Sequence, residues 1–153
     1  MTIRMLAAAF ALATAGPVLA QIPPPPPPMV MSPQAAQAQL VANSGSDAVF
    51  FGPGSTTLDA AARQTLAAQA RFLNANRWLR ARILGHSDGR GTRDYSIAVS
   101  ERRASAVRNY LISLGVEPGR LIVVSWGKER PTVAGANEAA WALNRRVQTV
   151  IEP

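Results

Sequence analysis

From residue 47 onward the apolar positions fall into two alternating rhythms. Residues 48–51 form a short apolar run, ended by Gly52, Pro53 and Gly54, as suits a strand leaving into a turn. Thr56 or Thr57 then caps a helix with Asp59 in its first turn, and Leu58, Ala61, Ala62, Leu66, Ala70 and Leu73 share one face at helical spacing. Residues 81–84 read as a second strand, closed by Gly85, and a polar loop with several glycines follows at 86–93. A second helix is predicted over 94–114, with Ile97, Ala104, Val107, Leu111 and Leu114 inward and Gly115 as its stop. A third strand at 121–124, a loop with Pro131 and Gly135, a short helical stretch at 137–143 and a last strand at 147–151 complete the pattern. The order β-α-β-α-β-α-β predicts an α/β (α+β) two-layer sandwich, with the helices on one face of a small mixed sheet.

The front of the chain has another character. Arg4 precedes an apolar run at 5–15, the breakers Gly16 and Pro17 follow, and the small residues Val18 and Ala20 stand where a secretory signal is cut. That run is about half the roughly 20 residues needed to span a bilayer, so residues 1–20 are expected to be a signal peptide cleaved after Ala20. Residues 21–46 read as a tether. Pro23 to Pro28 are consecutive prolines, a polyproline II spacer of about 19 Å. The stretch 33–39, rich in Ala and Gln, is compatible with a short helix inside that tether. The folded domain is thus expected at 47–153.

Composition narrows the chemistry. At 153 residues, 48% hydrophobic and 16% charged, the chain can bury one ordinary core. The formal charge is +7 and Lys128 is the only lysine, so nearly all the positive charge is arginine, which grips carboxylates and phosphates with a planar fork. Charge alone admits nucleic acid, acidic glycans or anionic membranes as partners, or simply a soluble surface. Export speaks against nucleic acid. There is no cysteine, which excludes disulfides, a thiolate nucleophile, thiolate metal sites and cysteine-borne lipid in this sequence.

No catalytic constellation emerges, and the expectation is a protein that is not an enzyme, with no cofactor and no metal. His86 is the sole histidine and adjoins Ser87 and Asp88, whereas the members of a serine triad converge from separate segments. It reads instead as a strand-end residue bonded to backbone. Charge placement says more. Asp88 lies in the loop after the second strand, while Glu101, Arg102, Arg103 and Arg108 lie on the helix that the loop feeds. An acid and a guanidinium converging on one shallow site suit a zwitterion, the acid taking the ammonium and the arginine the carboxylate. They suit equally an internal Asp–Arg ion pair fastening loop to helix.

The run GHSDGRGTRDYSIAVSERRASAVRNYL at 85–111 resembles the central signature of the OmpA-like C-terminal domain, in the form found in peptidoglycan-associated lipoproteins. VSWGKERP at 124–131 and NEAAWALNRRV at 137–147 are similar to later blocks of the same family. The resemblance runs from about Val49 onward. It implies non-catalytic binding of peptidoglycan through the diaminopimelate of the stem peptide, with Asp88 holding the ammonium and Arg103 the carboxylate. Arg90, Thr92 and Ser96 of the same block are further candidates for ligand contacts.

Three positions depart from the family pattern. Gly52 stands where an aspartate usually follows the first-strand aromatics, and Ser96 replaces the usual asparagine early in the second helix. Each lost polar bond is expected to cost about 1–3 kcal/mol, roughly ten- to a hundredfold in affinity. Gln21 stands where such lipoproteins carry an acylated cysteine, so the expectation is a periplasmic protein at the wall and the inner face of the outer membrane. The alternative is an envelope scaffold that binds a Tol-system or other envelope protein, with wall binding weakened or lost.

Overall fold

The computed structural model describes residues 30–152. The expected signal peptide and the proline run lie outside them. Eight elements follow in order: α1 (Pro33–Ser44), β1 (Ala48–Phe50), α2 (Ala60–Ala75), β2 (Arg80–His86), α3 (Arg93–Ser113), β3 (Leu121–Gly127), α4 (Glu138–Asn144) and β4 (Arg146–Glu152), with a single 3₁₀ turn before β3. The strands form one mixed sheet in the order β1-β4-β2-β3. β4 runs antiparallel to both neighbours, and β2 and β3 are parallel across the α3 crossover. This is the α+β architecture that the hydrophobic pattern predicts, with one helix added at the front.

That helix corrects the domain boundary. Residues 33–44 belong to the folded domain and not to a tether, which leaves 21–46 too long as a linker assignment. Ser32 caps α1 by accepting from the Ala35 amide, Pro33 opens it, and Gly45 ends it in the left-handed region at φ 78°. Ala36 and Leu40 are fully buried in the main core. Gln37 meets a geometric need of the sheet. β1 pairs only with residues 146–148 of β4, so the rest of that edge is open. The Gln37 amide donates to the Thr149 carbonyl (3.0 Å) and its oxygen accepts from the Ile151 amide (2.8 Å), covering polar groups that an exposed edge leaves unpaired.

The core lies between the sheet and α1–α3, where Leu66, Leu73, Ala81, Ile83, Val107, Leu111 and Val147 are nearly inaccessible. The cap of α2 is Asp59, whose carboxylate accepts from the Ala62 amide at 2.7 Å, in place of the expected threonines. In α3 the buried face includes Ser96, Val99, Ser100 and Arg103 as well as Ala104, Val107 and Leu111, whereas Leu114 is exposed. Gly85 explains this turn of the helix: a Cβ there would collide with the Ser100 carbonyl, so α3 lies directly on the β2 backbone. An irregularity between Gly85 and His86 then shifts the β2–β3 register and tips the chain into the loop that carries Asp88.

Candidate functional site

Three segments meet at this end of the sheet: the turn after β1, the β2–α3 loop and the α4–β4 junction. The β2–α3 loop is fastened at both ends. The Ser87 amide donates to the Gly127 carbonyl (2.8 Å), and Thr92 caps α3 by accepting from the Tyr95 amide (3.2 Å). Gly91, at φ 83°, makes the bend between them with a conformation that suits glycine. Between the first two segments and the start of α3 lies a surface pocket of about 270 Å³, lined by Pro53, Gly54, Asp88, Arg90, Tyr95, Val99 and Arg103 among others.

Asp88 and Arg103 both face this pocket, yet they do not pair with each other. Asp88 is 8% exposed and surrounded by donors from its own chain. Oδ1 accepts from the Arg90 amide (3.0 Å) and Arg90 Nε (3.3 Å), and Oδ2 accepts from Arg90 NH2 (2.8 Å) and Arg145 NH1 (3.3 Å). Burial works to raise the Asp88 pKa, but the hydrogen bonds from Arg90 and Arg145 together outweigh it, and the carboxyl is held below its ordinary value. Arg103, 2% exposed, donates to the carbonyls of Ser55 (2.8 Å), Gly52 (3.3 Å) and His86 (3.4 Å), and its guanidinium lies 5.5 Å from the Phe51 ring centroid. Burial lowers its pKa, and the Asp88 charge offsets part of that. Three carbonyls cannot use all five guanidinium N–H groups, so Arg103 keeps donor capacity beside the pocket.

The other candidates are placed less evenly. Arg90 lines the pocket, with its guanidinium stacked 4.2 Å over Trp141. Thr92 is spent on its cap. Ser96 is fully buried, its Oγ 3.5 Å from the Arg90 carbonyl that it supports. Glu101 and Arg102 sit on the outer face of α3, away from Asp88. Arg108 donates to the carbonyls of Leu121 and Pro118. Gly52 has its nearest non-neighbouring atom 3.7 Å from where a Cβ would stand, so a side chain fits there.

His86 ends β2 as expected, and its ring is buried beside the Arg130 backbone, though neither ring nitrogen makes a hydrogen bond of good geometry among the described residues. Burial first, and the Arg146 charge second, lower its pKa to about 4. Among the described residues no group of three or more His, Asp or Glu could hold a metal ion, and no helix is long and apolar enough to cross a membrane.

Arg145 escapes notice in the sequence. Its side chain is 4% exposed and joins the Phe51 carbonyl (3.0 Å), Asp88 and Glu138 (2.6 Å). The available signal is the Asn144-Arg145-Arg146 run, whose Asn144 also holds the amides of Thr132 and Val133.

The same elements recur in known proteins. A peptidoglycan-associated lipoprotein of Mesorhizobium japonicum is 42% identical over 105 residues, which covers 69% of this chain and 62% of that protein. One from Pseudomonas aeruginosa is 44% identical over 99 residues, covering 65% of this chain and 58% of that protein. The chain thus spans a little under two thirds of the length of the curated relatives it matches. The crystal structure of the peptidoglycan-associated lipoprotein from Burkholderia pseudomallei superposes with a TM-score of 0.69 at 35% identity, covering 71% of this chain and 92% of that one. The C-terminal domain of Helicobacter pylori MotB shares the fold at 19% identity and a TM-score of 0.65. The OmpA family model matches residues 50–145, from the end of β1 to the buried arginine bonded to Asp88, and the chain belongs to the OmpA family.

Proposed function

We propose that this domain binds peptidoglycan without altering it chemically and holds the diaminopimelate of the stem peptide in the pocket between the β2–α3 loop and α3. The observation that carries this reading is the pairing of Asp88 with Arg103 as opposite charges lining one pocket while making no bond to each other. A zwitterion satisfies both: its ammonium approaches the Asp88 carboxylate and its carboxylate takes the remaining Arg103 donors. Family membership and the names of the relatives support the wall polymer as the ligand. The reading includes export to the periplasm by cleavage after Ala20, with the domain contributing to the attachment between wall and outer membrane.

Retention on purified sacculi tests it. Asp88→Asn, which keeps the shape and removes the charge, and Arg103→Ala are each expected to weaken retention ten- to a hundredfold, from loss of about 1–3 kcal/mol of charge-assisted bonding. Circular dichroism checks that each variant is folded. Folded variants retained as well as the wild type would defeat the proposal.

A further inference from the structure

We propose that Arg145 is a positioning residue of this pocket: a buried guanidinium that keeps the Asp88 carboxylate in place from behind while the side chain of Arg90 yields its own side of that carboxylate to the ligand ammonium. The inference rests on the wall-binding reading above. All the strong acceptor directions of Asp88 are occupied, two by Arg90 side-chain nitrogens, one by the Arg90 amide and one by Arg145. An ammonium therefore docks only by displacing a donor, and the two guanidiniums differ in what displacement costs. The Arg90 side chain is 45% exposed, so on release its charge returns to water. The Arg145 side chain is 4% exposed, and its three guanidinium nitrogens go to three different segments: Phe51 after β1, Asp88 in the β2–α3 loop and Glu138 on α4. Moving it strands a cation in the interior.

The arrangement is preorganised. Arg145 also sits at the hinge of the backbone, its amide donating to the Trp141 carbonyl to end α4 and its own carbonyl accepting from the Phe51 amide (2.9 Å). One residue thereby sets the distance between the β1 turn, α4 and the carboxylate. The charged and titratable groups around Asp88 are Arg90 from its own loop, Arg103 and Tyr95 from α3, Arg145 from the junction between α4 and β4, and Glu138 from α4 acting through Arg145 and Arg90. Of the cations, Arg145 alone is both bonded to the carboxylate and shielded from water.

The experiment follows the Asp88 carboxyl by ¹³C NMR titration, without ligand, and sacculus retention across the same pH range, in the wild type, Arg145→Gln and Arg145→Lys. In Arg145→Gln the Asp88 midpoint moves up, the acid limb of retention moves up with it, and retention at neutral pH falls about tenfold. Arg145→Lys, which keeps a cation but not the fork, brings the midpoint most of the way back. An Asp88 midpoint that Arg145→Gln leaves unchanged, or a lysine variant no better than the glutamine one, overturns the inference whatever the sacculi do. Should Arg145→Gln not fold, Glu138→Gln takes its place: freeing the guanidinium from its exposed competitor lowers the Asp88 midpoint, and an unmoved midpoint again overturns the inference. Absence of wild-type retention is a separate result, which sinks the wall-binding reading itself.

Discussion

At the scale of single residues the arginine excess acquires a specific explanation. Several of these side chains neutralise no acid and instead hold backbone. Arg120, 8% exposed, donates to the carbonyls of Leu73, Asn76 and Leu79, so a cation sits at the C-terminal end of α2 where the helix dipole favours one. Arg103 and Arg108 likewise go to carbonyls. Arginine suits this work because it spreads its charge over five donors in one plane. His86 is the opposite case, a buried titratable ring whose contact with the Arg130 backbone is too poorly aligned to offset its burial. Its folded pKa of about 4 lies below the unfolded 6.5, so between those values the unfolded chain binds the proton that the native state refuses. Stability is expected to fall as pH drops from about 6.5 to about 4 and not to fall further on this account. His86→Leu should flatten that limb of a melting-temperature profile while leaving stability near pH 7 within about 1 kcal/mol, since no well-formed hydrogen bond is given up. A profile that keeps its slope would assign the acid sensitivity to another group.

At the scale of elements, the site depends on how closely α3 lies on β2. Gly85 permits that contact, and the buried face of α3 is consequently centred on Ser96, Ser100 and Arg103 as well as on its aliphatic residues. Gly85→Ala forces a Cβ into the Ser100 carbonyl, and backbone cannot give way as a flexible side chain would. The expected result is destabilisation of about 1–3 kcal/mol or more, read by denaturant melting, together with weaker sacculus retention as Arg103 shifts from the pocket. Helical periodicity in the sequence places α3 correctly but cannot rotate it, because an apolar-face rule sends serine and arginine outward. The same limit hides Arg145. It reads as one arginine in a run of two, and nothing local distinguishes the buried one from Arg146, which is only half-buried.

At the scale of the whole molecule, α1 closes the fold. It buries Leu40 and Ala36 and covers the β4 edge through Gln37, so a chain shortened to begin at Asp47 should melt at a lower temperature than one beginning at Val30. Leu40→Ala alone is expected to cost about 2–5 kcal/mol. Exposure of the β4 edge adds a tendency to self-associate, visible in size-exclusion chromatography. Equal melting temperatures for the two chains would return residues 33–44 to the tether. The period of the apolar positions and the glycine and proline breaks were enough by themselves to determine seven of the elements and their order, because these signals act within one or two turns of chain. The block around Asp88 likewise marked the pocket loop in advance. Tertiary structure alone decided what depends on surfaces distant in sequence. It docked an alanine- and glutamine-rich helix with a single large apolar side chain buried, set α3 by its contact with a glycine, and left Asp88 bonded to Arg90 and Arg145 with Arg103 facing it across an open pocket. Those outcomes turn on which groups lose water together, and a chain read in order carries no record of that.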